Sequence, residues 1–374
     1  MRNTTRNHTF DALRTLVILL MTGSHTTRMI ADESWIFWNK FVLLIEPFTA
    51  ASFLFLVGSS LVLSWKRATE NNAMKPRGWI CKKLKRCILL WIVSLCMYFA
   101  SVGLVWPDSF VLSGILATIA YSTVVFGLLM ILPQRIFAII IVTTAATVLY
   151  LFLDMFSKPI YFLTHGNSPL LPLTIFTGLG ALFTLWLPSP HGNVKKSLIA
   201  LCLFSIALPL LLCGPEKVFT YPLGRYKIKR QAEVLLSVSM PLGNSSATVV
   251  KTIRYYNLRP VLIPVITAMI VLFYFIITRL SHLLAGKTAL KNILKKILAL
   301  GRHSLDIYIL HLVLLALFIG KKASITVIWQ GTLLLLVILL ICFAYVISRE
   351  YIARKKSIDH NGSLRHAVND FHLS

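Results

Sequence analysis

Residues 10–30 read Phe-Asp-Ala-Leu-Arg-Thr-Leu-Val-Ile-Leu-Leu-Met-Thr-Gly-Ser-His-Thr-Thr-Arg-Met-Ile, an apolar run interrupted by ionisable side chains. The run is long enough for one helical crossing of a bilayer, which takes about 20 residues. Arg14 and His25 are eleven positions apart, so on a helix they point to within about 20° of the same direction. They are then separated by about 16 Å along the axis. Asp11 lies one turn before Arg14, at ion-pairing distance.

An ionisable side chain inside a bilayer is costly unless it pairs or faces a wet cavity, which makes it a functional candidate. Two interpretations remain open for this run. Asp11 and Arg14 can form an interfacial ion pair at one helix end, with His25 close to the opposite interface. Alternatively, Asp11, Arg14 and His25 share one polar passage in which they act on a substrate.

The composition indicates the class of protein. The 374 residues are 57% hydrophobic and 14% charged, whereas soluble domains carry about 25% charged residues. The sequence therefore predicts an integral membrane protein. The net charge of +25 is confined to short segments between apolar runs, which favours anionic lipid head groups as partners and argues against nucleic-acid binding. The six cysteines have no metal-ligand spacing and no paired framework, so neither a metal site nor a disulfide is predicted.

The apolar segments predict an all-α, polytopic membrane protein with about ten transmembrane helices. They lie near residues 12–30, 47–65, 88–106, 110–132, 136–154, 170–187, 196–213, 260–278, 304–320 and 324–347. Residues 1–350 are predicted to form one transmembrane domain, and residues 351–374 a polar cytoplasmic tail. The strongly basic loop at 66–86 predicts that both termini are cytoplasmic, in a multi-pass protein of the plasma (bacterial inner) membrane.

A second basic segment, residues 214–258, is predicted to be a long outer loop. It is either a solvated surface loop or a cap over an outer acceptor site, whose cations attract an anionic saccharide or a lipid phosphate. Two further residues at the predicted outer side are candidates. Glu46 precedes Pro47, which suits a first helical position, so Glu46 either complements the helix start or orients His25. His165 is either a plain loop histidine or a substrate contact.

Residues 300–311 read Leu-Gly-Arg-His-Ser-Leu-Asp-Ile-Tyr-Ile-Leu-His. Ser304, Tyr308 and His311 fall on one helical face at spacings of four and three. Ser304 is suited to cap the helix start, and His311 lies inside the bilayer, where an imidazole needs a partner. Tyr308 and His311 either form hydrogen bonds to neighbouring helices or line the same cavity as Arg14 and His25. Ser304, on the same face, is a further candidate for substrate binding.

The order of these elements resembles the transmembrane acyltransferase superfamily, and it fits the heparan-α-glucosaminide N-acetyltransferase catalytic-domain-like branch, a relative of the acyltransferase 3 family. The matching features are Arg-x10-His after an aspartate, the Phe-Leu-Phe-Leu-Val-Gly run at 53–58, Pro-Leu-Leu-Pro at 169–172 and the Leu-Gly-x-x-Ser-Leu-x-x-Tyr-x-x-His signature at 300–311. Three positions depart from the branch: Val57 replaces a serine, Ala117 a histidine and Leu173 a tryptophan.

The resemblance implies a membrane-bound O- or N-acyltransferase. It would move an acyl group, acetyl in that branch, from cytosolic acyl-CoA to a hydroxyl or amine of an extracytoplasmic or lipid-linked saccharide. Acyl-CoA would be a co-substrate, with no resident cofactor. Arg14, oriented by Asp11, would hold a donor phosphate or polarise the thioester carbonyl. His25 would be the general base or, alternatively, would carry the acyl group covalently. The competing interpretation is a transporter or flippase of a glycan or lipid precursor, because intramembrane Arg and His residues serve that function too.

Overall fold

A computed structural model describes most of the chain. The described residues are 8–30, 36–70, 75–102, 104–106, 114–155, 163, 168–187, 198–207, 226–236, 248–255, 260, 262–284, 297–319 and 328–371. Helices account for nearly all of them. They are α1 (His8–Ile30), α2 (Ile36–Glu70), α3 (Pro76–Val102), α4 (Ile115–Leu129), α5 (Arg135–Met155), α6 (Leu170–Trp186), α7 (Leu198–Ala207), α8 (Leu262–Leu284), α9 (Ser304–Ile319) and α10 (Ile328–Phe371).

Four helical segments of the described chain are long and apolar enough to cross a membrane, namely Ile45–Thr69, Arg135–Met155, Leu262–Ser281 and Gly331–Ile352. Four further apolar helices are shorter, Ile115–Leu129, Leu170–Trp186, Leu198–Ala207 and Ser304–Leu315. Helix α5 exposes large apolar side chains such as Phe137 and Phe152, and an apolar surface of this size fits hydrocarbon better than water. The helical membrane architecture is thus confirmed, while the number of about ten crossings stays a prediction.

Helix α2 differs from the expectation at its start. It begins at Ile36 and runs through Pro47, so Pro47 is not a first helical residue and Glu46 does not lie at a helix N-terminus. Proline in a helix interior removes one backbone hydrogen bond. Membrane helices tolerate this loss because neighbouring groups and local adjustments satisfy the freed carbonyl.

The basic segment 214–258, predicted to be a loop, contains two β-strands. Strands β2 (Tyr226–Leu236) and β3 (Thr248–Tyr255) pair antiparallel, with Tyr226 opposite Tyr255 and Glu233 opposite Thr248. Strand β1 (Leu104–Trp106) pairs antiparallel with β2 and completes a three-stranded sheet. The predicted all-α fold class is therefore correct for most of the described residues, and this small sheet is the part that was not predicted.

The chain divides into two compact units. In the first, Pro47–Phe273, α6 packs against α2 through glycines. A Cβ added to Gly58 would lie 1.9 Å from the carbonyl oxygen of Thr177, and one added to Gly180 would lie 1.9 Å from that of Phe55. The Ser59 hydroxyl is 3.1 Å from the Gly180 carbonyl oxygen. Small residues at such contacts let membrane helices approach closely.

The second unit contains Thr5–Glu46 and Tyr274–Ser374. Within it, α1 packs against both α9 and α10, and α9 packs against α10. A Cβ added to Gly301 would lie 1.9 Å from the carbonyl oxygen of Asp11, so the helical segment 297–302 touches the backbone of α1 directly. This unit holds the residues that the Arg-x10-His run and the 300–311 signature single out.

Candidate active site

The start of α1 is fixed by contacts with residues from the other end of the chain. The Phe10 ring packs against Tyr274 with 5.0 Å between centroids, and the hydroxyls of Thr9 and Thr278 are 3.3 Å apart. The Thr15 hydroxyl lies 3.2 Å from the carbonyl oxygen of Ile297. These contacts position the turn of α1 that carries Asp11 and Arg14.

Asp11 and Arg14 form the predicted ion pair. The Arg14 Nη1 donates to Asp11 Oδ1 at 2.8 Å. The Asp11 side chain is buried, whereas the Arg14 side chain is 20% exposed. The carboxylate therefore anchors one side of a guanidinium that keeps access to its surroundings. An arginine has five donors, and this contact engages one nitrogen.

The small hydroxyl residues around His25 are not part of a polar lining. Thr22, Ser24 and Thr26 are buried. Each hydroxyl donates to a carbonyl of its own helix, Thr22 to Ile18, Ser24 to Met21 and Thr26 to Thr22, at 2.8–3.0 Å. Such bonds satisfy a polar side chain locally, so these three hydroxyls are compatible with an apolar surrounding. The candidate reactive groups on α1 are therefore its ionisable side chains.

His25 and His311 are direct neighbours although 286 residues separate them in sequence. His25 Nδ1 and His311 Nε2 are 3.0 Å apart, and His311 Nδ1 lies 3.0 Å from the carbonyl oxygen of Ile307. His311 is fully buried, at 0% exposure, whereas His25 is half-buried. The two imidazoles and one backbone carbonyl therefore form a chain of hydrogen bonds from the interior of α9 towards a more accessible ring on α1.

Tyr308 packs beside both imidazoles. Its ring centroid is 5.3 Å from that of His311 and 6.3 Å from that of His25, with interplanar angles of 71° and 64°. Edge-on aromatic contacts of this kind favour a fixed ring orientation. The structure thus brings Tyr308 and His311 together with His25, while Arg14 lies about 16 Å away along the same helix.

The start of α9 carries a charged cluster that the sequence reading missed. The amide of Ile307 bonds to the carbonyl of His303, and Ser304 is already helical, so the cap falls on His303 and not on Ser304 as expected. His303 pairs with Asp306 at 3.4 Å. Glu350 of α10 accepts from Arg302 at 2.8 Å. No spacing in the sequence predicts this pairing, because the two residues lie on different helices.

Residues 6–223 match the sequence profile of the family described as heparan-alpha-glucosaminide N-acetyltransferase, catalytic. This match covers more than half of the 374 residues. The chain belongs to this family. The matched region includes Asp11, Arg14 and His25 and ends before Tyr308 and His311. No curated protein sequence matches the chain significantly.

Membership of the acetyltransferase family and the apolar helices together identify the chain as a transmembrane acyltransferase. The positions that depart from the family pattern lie in the first unit. Ala117 is completely buried, and Leu173 is buried as well, so small and aliphatic side chains pack in helices where a histidine or tryptophan was expected. No imidazole is therefore available at residue 117.

Glu46 and His165 are the other two residues that the sequence predicts at the site. Glu46 is buried within α2, and its proposed action on His25 stays a prediction. His165 lies outside the described residues.

The arrangement in the second unit has the elements of acyl transfer: a half-buried imidazole with a supporting partner, and a carboxylate-anchored guanidinium on the same helix. General-base catalysis by a positioned histidine and anion binding by arginine are established uses of these groups.

Proposed function

We propose that this protein transfers an acetyl group from cytosolic acetyl-CoA to a hydroxyl or amine of a saccharide on the far side of the membrane. The observation that carries the proposal is the half-buried His25, hydrogen-bonded through Nδ1 to His311, in a chain that belongs to an acetyltransferase family. A heparan-type glucosaminide is the acceptor that the family description names. The saccharide class, rather than that particular glycan, is the part we carry over.

Arg14 is proposed to bind the donor. Its guanidinium is a permanent cation, and Asp11 holds it at 2.8 Å. A planar, multiply donating cation suits either a phosphate of the donor or the oxygen of the thioester carbonyl. Arg14 and His25 are about 16 Å apart along α1. The long pantetheine arm of CoA accounts for this separation if its phosphates bind near Arg14 and its thioester reaches His25.

His25 is proposed to be the general base. Its imidazole takes the proton from the acceptor O–H or N–H as that atom attacks the acyl carbonyl carbon. A new C–O or C–N bond forms, the C–S bond of the thioester breaks, and the thiolate of CoA receives the proton from the imidazolium. A positioned base of this kind contributes about 10² to 10⁴ in rate. Tyr308 would border the acceptor at this point. Ser304 and His165 are proposed as further substrate contacts, and Glu46 is proposed to orient His25.

The same residues also permit a covalent route. The imidazole would attack the thioester carbonyl itself, expel CoA as the thiolate and pass the acyl group to the acceptor in a second step. The two routes differ in one observable. Incubation with radiolabelled acetyl-CoA in the absence of acceptor leaves acid-labile label on the protein, together with one equivalent of free CoA, only if acyl-His25 forms.

The proposal is tested with purified protein in lipid nanodiscs, supplied with acetyl-CoA and a mixture of amino and neutral oligosaccharides. We expect His25→Ala to lower acetyl transfer by at least about 10²-fold and Arg14→Ala mainly to raise the KM for acetyl-CoA. His8→Ala is the matched control, because His8 is an exposed histidine on the same helix. Wild-type transfer by both site variants would refute the mechanism. Movement of a glycolipid across the bilayer without any consumption of acetyl-CoA would instead support a flippase.

A further inference from the structure

We propose that His311 is a positioning residue that fixes the tautomer of His25 and thereby makes Nε2 of His25 the reacting nitrogen. The inference rests on the proposed function, because it assumes that His25 takes the acceptor proton or attacks the thioester. It assigns to His311 a task other than contact with substrate.

The backbone fixes the first proton in this chain. A carbonyl oxygen can only accept, so the contact of 3.0 Å between His311 Nδ1 and the Ile307 carbonyl requires a proton on Nδ1. A neutral imidazole carries one N–H, and its other nitrogen is an acceptor. The Nε2 of neutral His311 therefore has a free lone pair that points away from its own helix.

That lone pair determines the protonation of His25. His311 Nε2 lies 3.0 Å from His25 Nδ1, and a hydrogen bond between two neutral imidazoles needs one donor and one acceptor. Because His311 supplies the acceptor, His25 must donate from Nδ1. The Nε2 of His25 then carries the lone pair, and it is the nitrogen on the side of the ring opposite His311. One buried carbonyl thus sets, through two rings, which atom of His25 is basic.

The alignment of the rings supports a real hydrogen bond. The ring centroids are 5.3 Å apart and the planes differ by 21°. Subtracting the N···N distance of 3.0 Å from 5.3 Å leaves 2.3 Å, which is one ring radius for each imidazole. Both nitrogens therefore lie on the line that joins the centroids. The rings meet end to end, and each in-plane lone pair or N–H points at its partner.

The two histidines differ in burial, which favours different roles for them. His311 is completely enclosed, so it is poorly placed to meet a saccharide, whereas His25 is half-buried. Tyr308 packs edge-on against both rings and opposes their rotation. When His25 accepts a proton at Nε2, its Nδ1–H continues to donate to His311, so the developing positive charge keeps a neutral acceptor within hydrogen-bond distance. In serine hydrolases a partner that accepts from Nδ1–H likewise fixes the tautomer of the catalytic imidazole, although that partner is a carboxylate.

Two amide variants of His311 provide a matched test, because they share chemistry and differ in reach. In His311→Gln the amide oxygen extends far enough to accept from His25 Nδ1. In His311→Asn the shorter amide can replace only the bond to the Ile307 carbonyl. We expect kcat for acetyl transfer to stay within about tenfold of wild type for the glutamine variant and to fall by about 10²-fold for the asparagine variant. The KM values for acetyl-CoA and acceptor should change little in both. Val313→Phe, on an exposed position of the same helix, is the control.

The outcomes separate this inference from the proposed function. Equal kcat in the two amide variants, or a higher kcat in His311→Asn, overturns the positioning role while the loss of activity in His25→Ala still supports acetyl transfer. A large rise in acceptor KM in both variants also overturns it, because His311 would then be binding substrate. Full activity of His25→Ala refutes the proposed function itself, and with it the reason for positioning His25. Thermal melting of each variant shows whether a loss of activity arises from unfolding. If His311→Asn is unfolded, the kcat of His311→Gln decides: a value within about tenfold of wild type supports the positioning role, and a larger loss in a folded variant overturns it.

Discussion

Among single residues, Arg14 is the one at which the effect of a positive charge can be separated from the effect of a planar donor geometry. Asp11 holds one end of its guanidinium, and the remaining donors are arranged in a rigid plane. Asp11 is almost completely buried, so the pair is shielded from water on that side, and its attraction is stronger than in an exposed pair. Charge alone would be supplied by lysine, but the planar geometry would not.

Arg14→Lys therefore tests whether the donor is recognised by geometry or only by charge. We expect the KM for acetyl-CoA to rise by about tenfold, because lysine binds phosphate as a point charge and cannot form the bidentate contact. The kcat at saturating donor should change much less, since His25 is untouched. The measurement is steady-state acetyl transfer in nanodiscs, with Arg67→Lys, an exposed arginine of α2, as the control. An unchanged KM for acetyl-CoA would show that Arg14 does not contact the donor through its fork.

Among the elements, the contact between α1 and residues 297–302 depends on the absence of a side chain at residue 301. A Cβ at Gly301 would lie 1.9 Å from the Asp11 carbonyl oxygen and 2.8 Å from the Thr15 hydroxyl. Backbone atoms cannot move aside as a flexible side chain can, so the two segments must separate. That movement would displace the turn of α1 that carries the ion pair.

Gly301→Ala is therefore expected to destabilise the protein by about 1–3 kcal/mol, the usual cost of overpacking, and to lower its melting temperature in nanodiscs. Gly23→Ala is the matched control, because a Cβ at Gly23 has nothing within 4 Å, and the same change in a helix interior improves helix propensity. A melting temperature for Gly301→Ala equal to that of Gly23→Ala would mean that the close approach does not exist in the membrane.

The sequence predicted those helices whose limits depend on hydrophobic length. The apolar run at 136–154 corresponds to α5 (Arg135–Met155), and the run at 170–187 to α6 (Leu170–Trp186). It failed where one residue type has two uses. Proline is common at a first helical position, so the sequence predicts a helix start at Pro47, although bilayer helices also accept proline in their interior.

The missed sheet and the missed histidine bond have different causes. The residues Thr248–Tyr255 are rich in Val, Ile, Thr and Tyr, which is a strand signal; the lysines and arginines of the same segment favour a solvated loop instead. The bond between His25 and His311 could not have been read. Spacing along each helix predicts which face a side chain occupies, and only the packing of α1 against α9 brings the two faces within 3.0 Å.

For the whole molecule, the orientation in the membrane decides whether the donor site can be reached from the cytosol. The proposed function requires the Arg14 end of α1 and the basic connection between α2 and α3 to lie on the cytoplasmic side. The cations around that connection lie on the last turn of α2, in the connection and on the first turns of α3. They are Arg67, Lys75, Arg77, Lys82, Lys85 and Arg86, and all six are exposed. An excess of lysine and arginine in a short loop retains it on the cytoplasmic side, so this surface sets the expected orientation.

Cys81 reports that orientation without any engineered residue, because it is exposed among these cations. Of the other described cysteines, Cys87, Cys202 and Cys342 are buried and Cys96 is exposed, so the modified peptide must be identified as the one that contains Cys81. We expect a membrane-impermeant maleimide to modify Cys81 in inside-out vesicles and to leave it unmodified in intact cells, as read by peptide mass spectrometry. Cys81→Ser identifies the peptide and should remove the signal. Modification of Cys81 from outside intact cells would invert the orientation, and Arg14 would then face the compartment that lacks acetyl-CoA. Acyl transfer from a cytosolic donor would need a different entry point, since the guanidinium that is proposed to bind CoA would lie on the wrong side of the bilayer.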